Sequence, residues 1–155
     1  MGIFSDRFRP ILEPAARTAI AATTSFLIAR LSGLTEAYWA AILTLVIMQS
    51  TLGAAVTISG ERFAGTILGA IVGGLLASEF PQGVWIFGAG VFLLGVICAL
   101  TRLENSYRFA AITLAIIMLV PRITPPWKIA LHRFIEVTIG IVVGLAITAV
   151  WPETR

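Results

Sequence analysis

The sequence predicts an all-α, polytopic membrane protein with six transmembrane helices, arranged as two inverted three-helix repeats. Three observations predict it. The 155 residues are 58% hydrophobic and only 12% charged, with a mean hydropathy of +0.96. A soluble domain of this size exposes too much of itself to manage with so few charges. Those charges fall in clusters, and the apolar gaps between them are long enough to cross a bilayer. The second half of the chain also restates the first.

Residues 1–14 carry Asp6, Arg7, Arg9 and Glu13 and have no hydrophobic run ahead of a small-residue cleavage site, so no cleavable signal peptide is expected. They read as a cytoplasmic amphipathic lead-in, with Phe4, Phe8, Ile11 and Leu12 against the membrane surface. The membrane domain follows over residues 15–152. Span one runs from about Ala15 to Leu31 behind Pro14, a residue suited to a first helical turn, with Glu13 and Arg17 in a favourable acid-first spacing. Span two runs from about Ala37 to Ala55 and starts on the interfacial anchors Tyr38 and Trp39. Span three runs from Phe63 to about Ser78 and ends at Glu79 and Pro81. Span four runs from about Val84 to Thr101, led by Trp85.

Span five lies between Arg108 and Arg122. At 1.5 Å per residue it reaches roughly 20 Å, so its arginines must snorkel or its surroundings must be thin or protein-lined. Pro125-Pro126-Trp127 then enforces an extended turn, and span six runs from about Phe134 to Val150, closing at Trp151-Pro152 before a tail over 153–155.

The repeat is carried by three matches. Ala29-Arg30-Leu31 recurs as Thr101-Arg102-Leu103, and Trp39-Ala40-Ala41-Ile42 as Phe109-Ala110-Ala111-Ile112. Arg62-Phe63 with Gly69 and Gly73 recurs as Arg133-Phe134 with Gly140 and Gly144. Repeat one covers about 15–78 and repeat two about 84–151. Three spans per repeat is an odd number, so the second repeat enters the membrane from the opposite side. Transporter and channel folds built this way place their pathway at the repeat interface. Lys and Arg number about seven on the side of the N-terminus and four on the other, which puts both termini in the cytoplasm.

The same residues exclude several function classes. There is no phosphate-cradling loop, no zinc-type cluster and no nucleophile elbow, so neither an enzyme, a metal site nor a cofactor is expected, and energy comes from an ion or substrate gradient. The pI of about 9.8 does not point to nucleic acid, because the basic residues stand singly between apolar runs. Cys98 has no partner for an intrachain disulfide and reads as packed or lipid-facing.

Arg62 and Arg133 are the leading pathway candidates. Each is expected just ahead of a membrane helix, where the helix N-terminus and a guanidinium together grip a carboxylate, at opposite mouths of one route. Snorkelling to headgroups is the alternative. Glu136, three residues after Arg133, is an acid within a span, and so a proton-coupling or ion-pairing candidate. Gln49, with Ser50, Thr51, Thr57 and Ser59, offers hydrogen bonds to a substrate or to a helix end. Gly65, Gly69 and Gly73, with Gly140 and Gly144, sit at four-residue intervals that let helix backbones approach closely; a pore wall is the alternative reading.

The run Gly33-Leu34, Tyr38-Trp39-Ala40-Ala41, Gln49, Gly53 and Arg62 with Gly65-Thr66 and Gly69 resembles the membrane module of the fusaric acid resistance family. That superfamily takes in aromatic acid exporters and, more distantly, aluminium-activated malate transporters. The resemblance runs from about Arg17 to Pro152 and includes Arg133, Gly140 and Trp151-Pro152 near its end. It implies a six-span module of the bacterial inner membrane that moves small organic anions, often aromatic carboxylates, out of the cytoplasm, and that is dimeric or doubled within one chain. Many members add a cytoplasmic domain after the module. The sequence therefore leaves open a homo-oligomer, a separately encoded partner, a passive anion channel, or a membrane subunit that transports nothing itself.

Overall fold

The computed structural model describes residues 2–120 and 124–151, with side chains from residue 12 onward. The lead-in's Phe4, Phe8 and Ile11, the expected anchor Arg122 and the tail lie outside the described side chains. Among the described residues there are helices and no strand: α1 (Gly2–Leu31), α2 (Tyr38–Met48), α3 (Leu52–Glu79), α4 (Val84–Leu100), a 3-10 turn (Glu104–Ser106), α5 (Tyr107–Leu119) and α6 (Pro126–Val150).

Several boundaries differ from the expected spans. Span two breaks early: α2 ends at Met48, Gln49 caps it, and α3 begins at Leu52. The polar stretch over 57–62, expected as a turn, lies inside α3. The Thr57 hydroxyl is satisfied along the helix, donating to the Gly53 carbonyl at 3.3 Å, and Glu61 accepts from Asn105. The buried Ser59 hydroxyl has no hydrogen-bond partner among the described residues. At the other end, Pro126 opens α6 instead of delaying it to Phe134. Proline at the first helical position gives up a backbone donor that has no intrahelical acceptor anyway.

α3 and α6, with 28 and 25 residues, are long and apolar enough to cross a membrane, at about 42 and 38 Å. α2 and α5, with 11 and 13 residues, reach only about 16 and 20 Å against a hydrocarbon core of about 30 Å.

α1 and α4 end in the same device. Leu34 N–H donates to Ala29 O and Gly33 N–H to Arg30 O; Leu103 N–H donates to Cys98 O and Arg102 N–H to Ala99 O. Gly33 and Arg102 take the left-handed conformation this turn requires, at φ 77° and 56°. Ser32 and Thr101 each donate their hydroxyl to the fourth residue back, at 2.8 Å. The turns therefore pair Gly33-Leu34 with Arg102-Leu103. The sequence match of Ala29-Arg30-Leu31 with that segment is three residues out of register.

The chain forms two compact units. One takes α1, α2, the start of α3 to Thr57 and α6 from Thr138; the other runs from Ile58 to Val137. In the first, α1 packs on α2, and α6 meets α2 through its glycines. A Cβ on Gly140 would lie 2.8 Å from the Ala40 carbonyl oxygen, and one on Gly144 3.0 Å from Ile47. In the second, α4 packs on α5, and Gly65, Gly69 and Gly73 of α3 lie against Ser106, Ala110, Thr113, Leu114 and Ile117. The core of this unit is Val72, Ala77, Leu94, Ala110, Leu114, Ile117 and Met118. The units do not follow the sequence repeats, because the glycine helix of each repeat packs on the short helix of the other.

Burial recurs along the chain. The buried Ala40, Leu43, Thr44, Ile47 and Met48 of α2 have buried counterparts 70 residues later in α5: Ala110, Thr113, Leu114, Ile117 and Met118. Ala21, Ser25 and Ala29 of α1 correspond to Gly90, Leu94 and Cys98 of α4 at 69 residues. Gly69, Val72, Gly73 and Ala77 of α3 correspond to Gly140, Val143, Gly144 and Thr148 of α6 at 71.

Candidate functional site: an arginine and phenylalanine crossing

Arg62 does not precede a helix. It is ten residues beyond the first residue of α3, and Arg133 is seven beyond the first of α6. The expected reinforcement of a helix N-terminus by each arginine therefore fails, since the macrodipole acts within the first turn. Both arginines sit instead within long apolar helices, where an ionisable side chain needs a partner or a polar route.

Within the second unit, α3 and α6 meet at these positions. The rings of Phe63 and Phe134, the residues immediately after the two arginines, lie 5.2 Å apart at 50°, a favourable tilted geometry. The two partners are each other's counterpart at 71 residues.

The arginines have different surroundings. The Arg62 guanidinium lies 4.8 Å over the Phe109 ring, a cation–π contact that stabilises the charge without neutralising it. Beside it, Asn105 Nδ2 donates to Glu61 Oε1 at 2.8 Å, tying α3 to the 3-10 turn before α5. Arg133 and Glu136 form a buried ion pair, with NH1 and Oε2 3.1 Å apart and side chains 5% and 1% exposed. Glu136 occupies the α6 position that corresponds to Gly65 in α3. Where the first repeat needs a glycine to reach the Ser106 carbonyl, the second carries a buried acid.

A carboxylate reaching this crossing meets one cation whose partner is a ring and one already paired with an acid. An incoming carboxylate could take the place of Glu136 on Arg133 with the charge balanced only if Glu136 took up a proton. Gln49 belongs to the first unit, where it is exposed at the end of α2. Among the described residues, no group of three or more His, Cys, Asp or Glu is placed to hold a metal.

Phe109, Asn105 and Phe134 are additions to the sequence reading, as is Arg17. Arg17 is 3% exposed in α1. Its NH1 donates to Trp151 O at 2.7 Å, and its NH2 to Met48 O at 3.4 Å. A cation thus meets carbonyls at the end of α2 and just past the end of α6, where the helix dipole favours positive charge. Trp151 Nε1 donates to Glu13 Oε1 at 3.1 Å. The signal was available: Arg17 is a charge inside an apolar span.

Residues 22–147 match the family described as fusaric acid resistance protein-like. The chain is 30% identical over 150 residues to "Uncharacterized transporter YdhK" of Salmonella typhimurium, covering 90% of this chain and 22% of that protein. It is 33% identical over 145 residues to "Inner membrane protein YeeA" of Escherichia coli, covering 88% of this chain and 40% of that protein. The YdhK protein of Escherichia coli K12 is 29% identical over 150 residues. The chain thus spans less than half the length of these relatives. No solved structure matches it.

Proposed function

This chain belongs to the fusaric acid resistance protein-like family, and we propose from that premise that it forms a membrane pathway exporting small organic anions, aromatic or other carboxylates among them. In this reading it is not an enzyme. Its six helices form two inverted repeats in the bacterial inner membrane, both termini face the cytoplasm, and a homodimer or a separately encoded partner completes the assembly. Relatives named as a transporter and as an inner membrane protein support the general role.

The observation that carries the substrate class is the pair of arginines flanking the Phe63–Phe134 contact. Cations within apolar helices, one over a ring and one balanced by an acid, suit an anion that brings an apolar body with its charge. The contact of counterpart residues supports a site near the repeat axis, rather than two basic mouths at the ends of the route.

Purified protein in liposomes loaded with benzoate tests this. Arg62→Gln and Arg133→Gln should each lower efflux at least about tenfold, the loss of one charge-assisted contact, at equal amounts of folded protein. Unchanged flux in both variants removes the arginines from the mechanism. No flux in the parent protein favours a subunit that transports nothing by itself.

A further inference from the structure

An open-sided cavity of about 380 Å³ lies where α1 turns into α2, lined by Phe26, Arg30, Leu34, Thr35, Ala37 and Tyr38. The volume is in the range of small-ligand sites, roughly 300–1,000 Å³. We propose that this cavity is a headgroup site for a membrane phospholipid, with the phosphate on Arg30; the inference rests on the membrane-spanning reading above and not on the anion pathway.

Its lining is one cation and no acid. Arg30 is exposed in the last turn of α1, and its guanidinium carbon is 6.0 Å from the Phe26 ring. Among the described residues it has no carboxylate partner. Leu34 and Ala37 are buried and give the cavity an apolar side, while Thr35 and Tyr38 supply hydroxyls. A phosphodiester carries a single negative charge and accepts two parallel bonds from a guanidinium.

The surroundings select an occupant with chains. Leu27, Ile28 and Leu31 on α1, and Ile42 and Leu45 on α2, the two helices that frame the cavity, are exposed apolar side chains. The Tyr38 and Trp39 rings, 5.7 Å apart, are the residue types that settle at headgroup level.

The second repeat shows that the fold does not create this space by itself. At the offsets given above, 69 residues up to the turn and 70 within α2, Phe26 is replaced by Gly95, Arg30 by Ala99, Thr35 by Glu104 and Tyr38 by Arg108. There the Tyr107 ring comes within 3.4 Å of a Cβ built on Gly95. The corresponding place is filled by a ring, has an alanine where Arg30 stands and has gained an acid.

Native mass spectrometry of the delipidated full chain in detergent, titrated with phosphatidylglycerol, tests the assignment. Arg30→Gln should weaken the first lipid bound by about tenfold, as loss of one charge-assisted contact does. Thr35→Glu, which brings in the second repeat's acid, should do the same. Arg108→Gln, an exposed arginine elsewhere, should change it less than about twofold. Benzoate in excess should leave lipid occupancy unchanged. Equal lipid affinity across all variants overturns the proposal, as does absence of lipid from the parent protein. Displacement of lipid by benzoate in the parent but not in Arg30→Gln would also overturn it, assigning the cavity to soluble carboxylates. The readout is binding, so loss of flux in Arg62→Gln neither supports nor weakens it.

Discussion

At the scale of single residues, Arg133 and Glu136 act as a unit. Removing Arg133 alone leaves a buried carboxylate without its counter-charge, a change that typically costs about 3–5 kcal/mol unless the acid takes up a proton. Arg133→Gln should therefore lower the thermal midpoint in detergent well below the parent. Arg133→Gln with Glu136→Gln should recover most of that loss, because two amides of similar size bury no net charge. The same double variant separates folding from transport: recovered stability with efflux still lost places the pair in the pathway, whereas recovered efflux makes it a packing element. Arg17 yields a companion prediction. Its two guanidinium nitrogens reach carbonyls on different segments, a span that a lysine ammonium, a point donor, does not reproduce. Arg17→Lys should destabilise nearly as much as Arg17→Ala, on the order of 2 kcal/mol, in a reversible denaturation measurement. The sequence marked Arg133 and Glu136 by position inside an apolar run and matched Arg62 to Arg133 by repeat. Their ring partners were hidden, because Phe109 and Phe134 look like any other apolar residues until the helices are packed.

At the scale of elements, the glycines of α3 divide by what they face. Gly69 meets the Ala110 carbonyl oxygen and the Thr113 side chain, while Gly74 on the same helix meets nothing. An alanine at Gly69 must push α5 away, and overpacking of this kind costs about 1–3 kcal/mol. An alanine at Gly74 adds only helix propensity, worth up to about 1 kcal/mol. Thermal melts should show Gly69→Ala clearly lowered and Gly74→Ala unchanged or raised; equal effects would mean that the α3–α5 contact does not limit stability. The four-residue glycine spacing made such a face legible, but not its partner. Helix limits were less legible for a related reason. In the sequence, Thr57, Ser59 and Glu61 look like a turn, yet α3 runs straight through them. The break falls instead at 49–51, where Gln49, Ser50 and Thr51 offer hydrogen bonds to a substrate or to a helix end, and Gln49 takes the second role as the cap of α2, through its backbone N–H. Thr57 bonds back along the helix and Glu61 across to Asn105, so polar residues alone do not mark a helix end.

At the scale of the whole molecule, the number of helices that cross fixes the topology. Phe63 and Phe134, counterparts in the sequence repeat, touch each other. The proposed repeats are inverted only if each crosses three times. The deciding member is α2, whose 11 residues reach about 16 Å of a hydrocarbon core of about 30 Å. Irregular backbone at membrane depth survives only when buried in protein, and α2 does bury Ala40, Leu43, Thr44, Ile47 and Met48. Thr35 and Glu104 decide the matter, since they are exposed counterparts with α2, α3 and α4 between them. If all three helices cross, Thr35→Cys and Glu104→Cys lie on opposite sides; if α2 only enters and returns, they share one. In a Cys98→Ala background, which removes the one native thiol, an impermeant maleimide added to whole cells should label Thr35→Cys and spare Glu104→Cys until the cells are opened. The charge asymmetry further requires Ser5→Cys to be protected in intact cells. Labelling of both loop cysteines from outside would reduce the membrane count and remove the inversion. Labelling of Glu104→Cys and Ser5→Cys but not Thr35→Cys would keep the inversion and reverse the orientation.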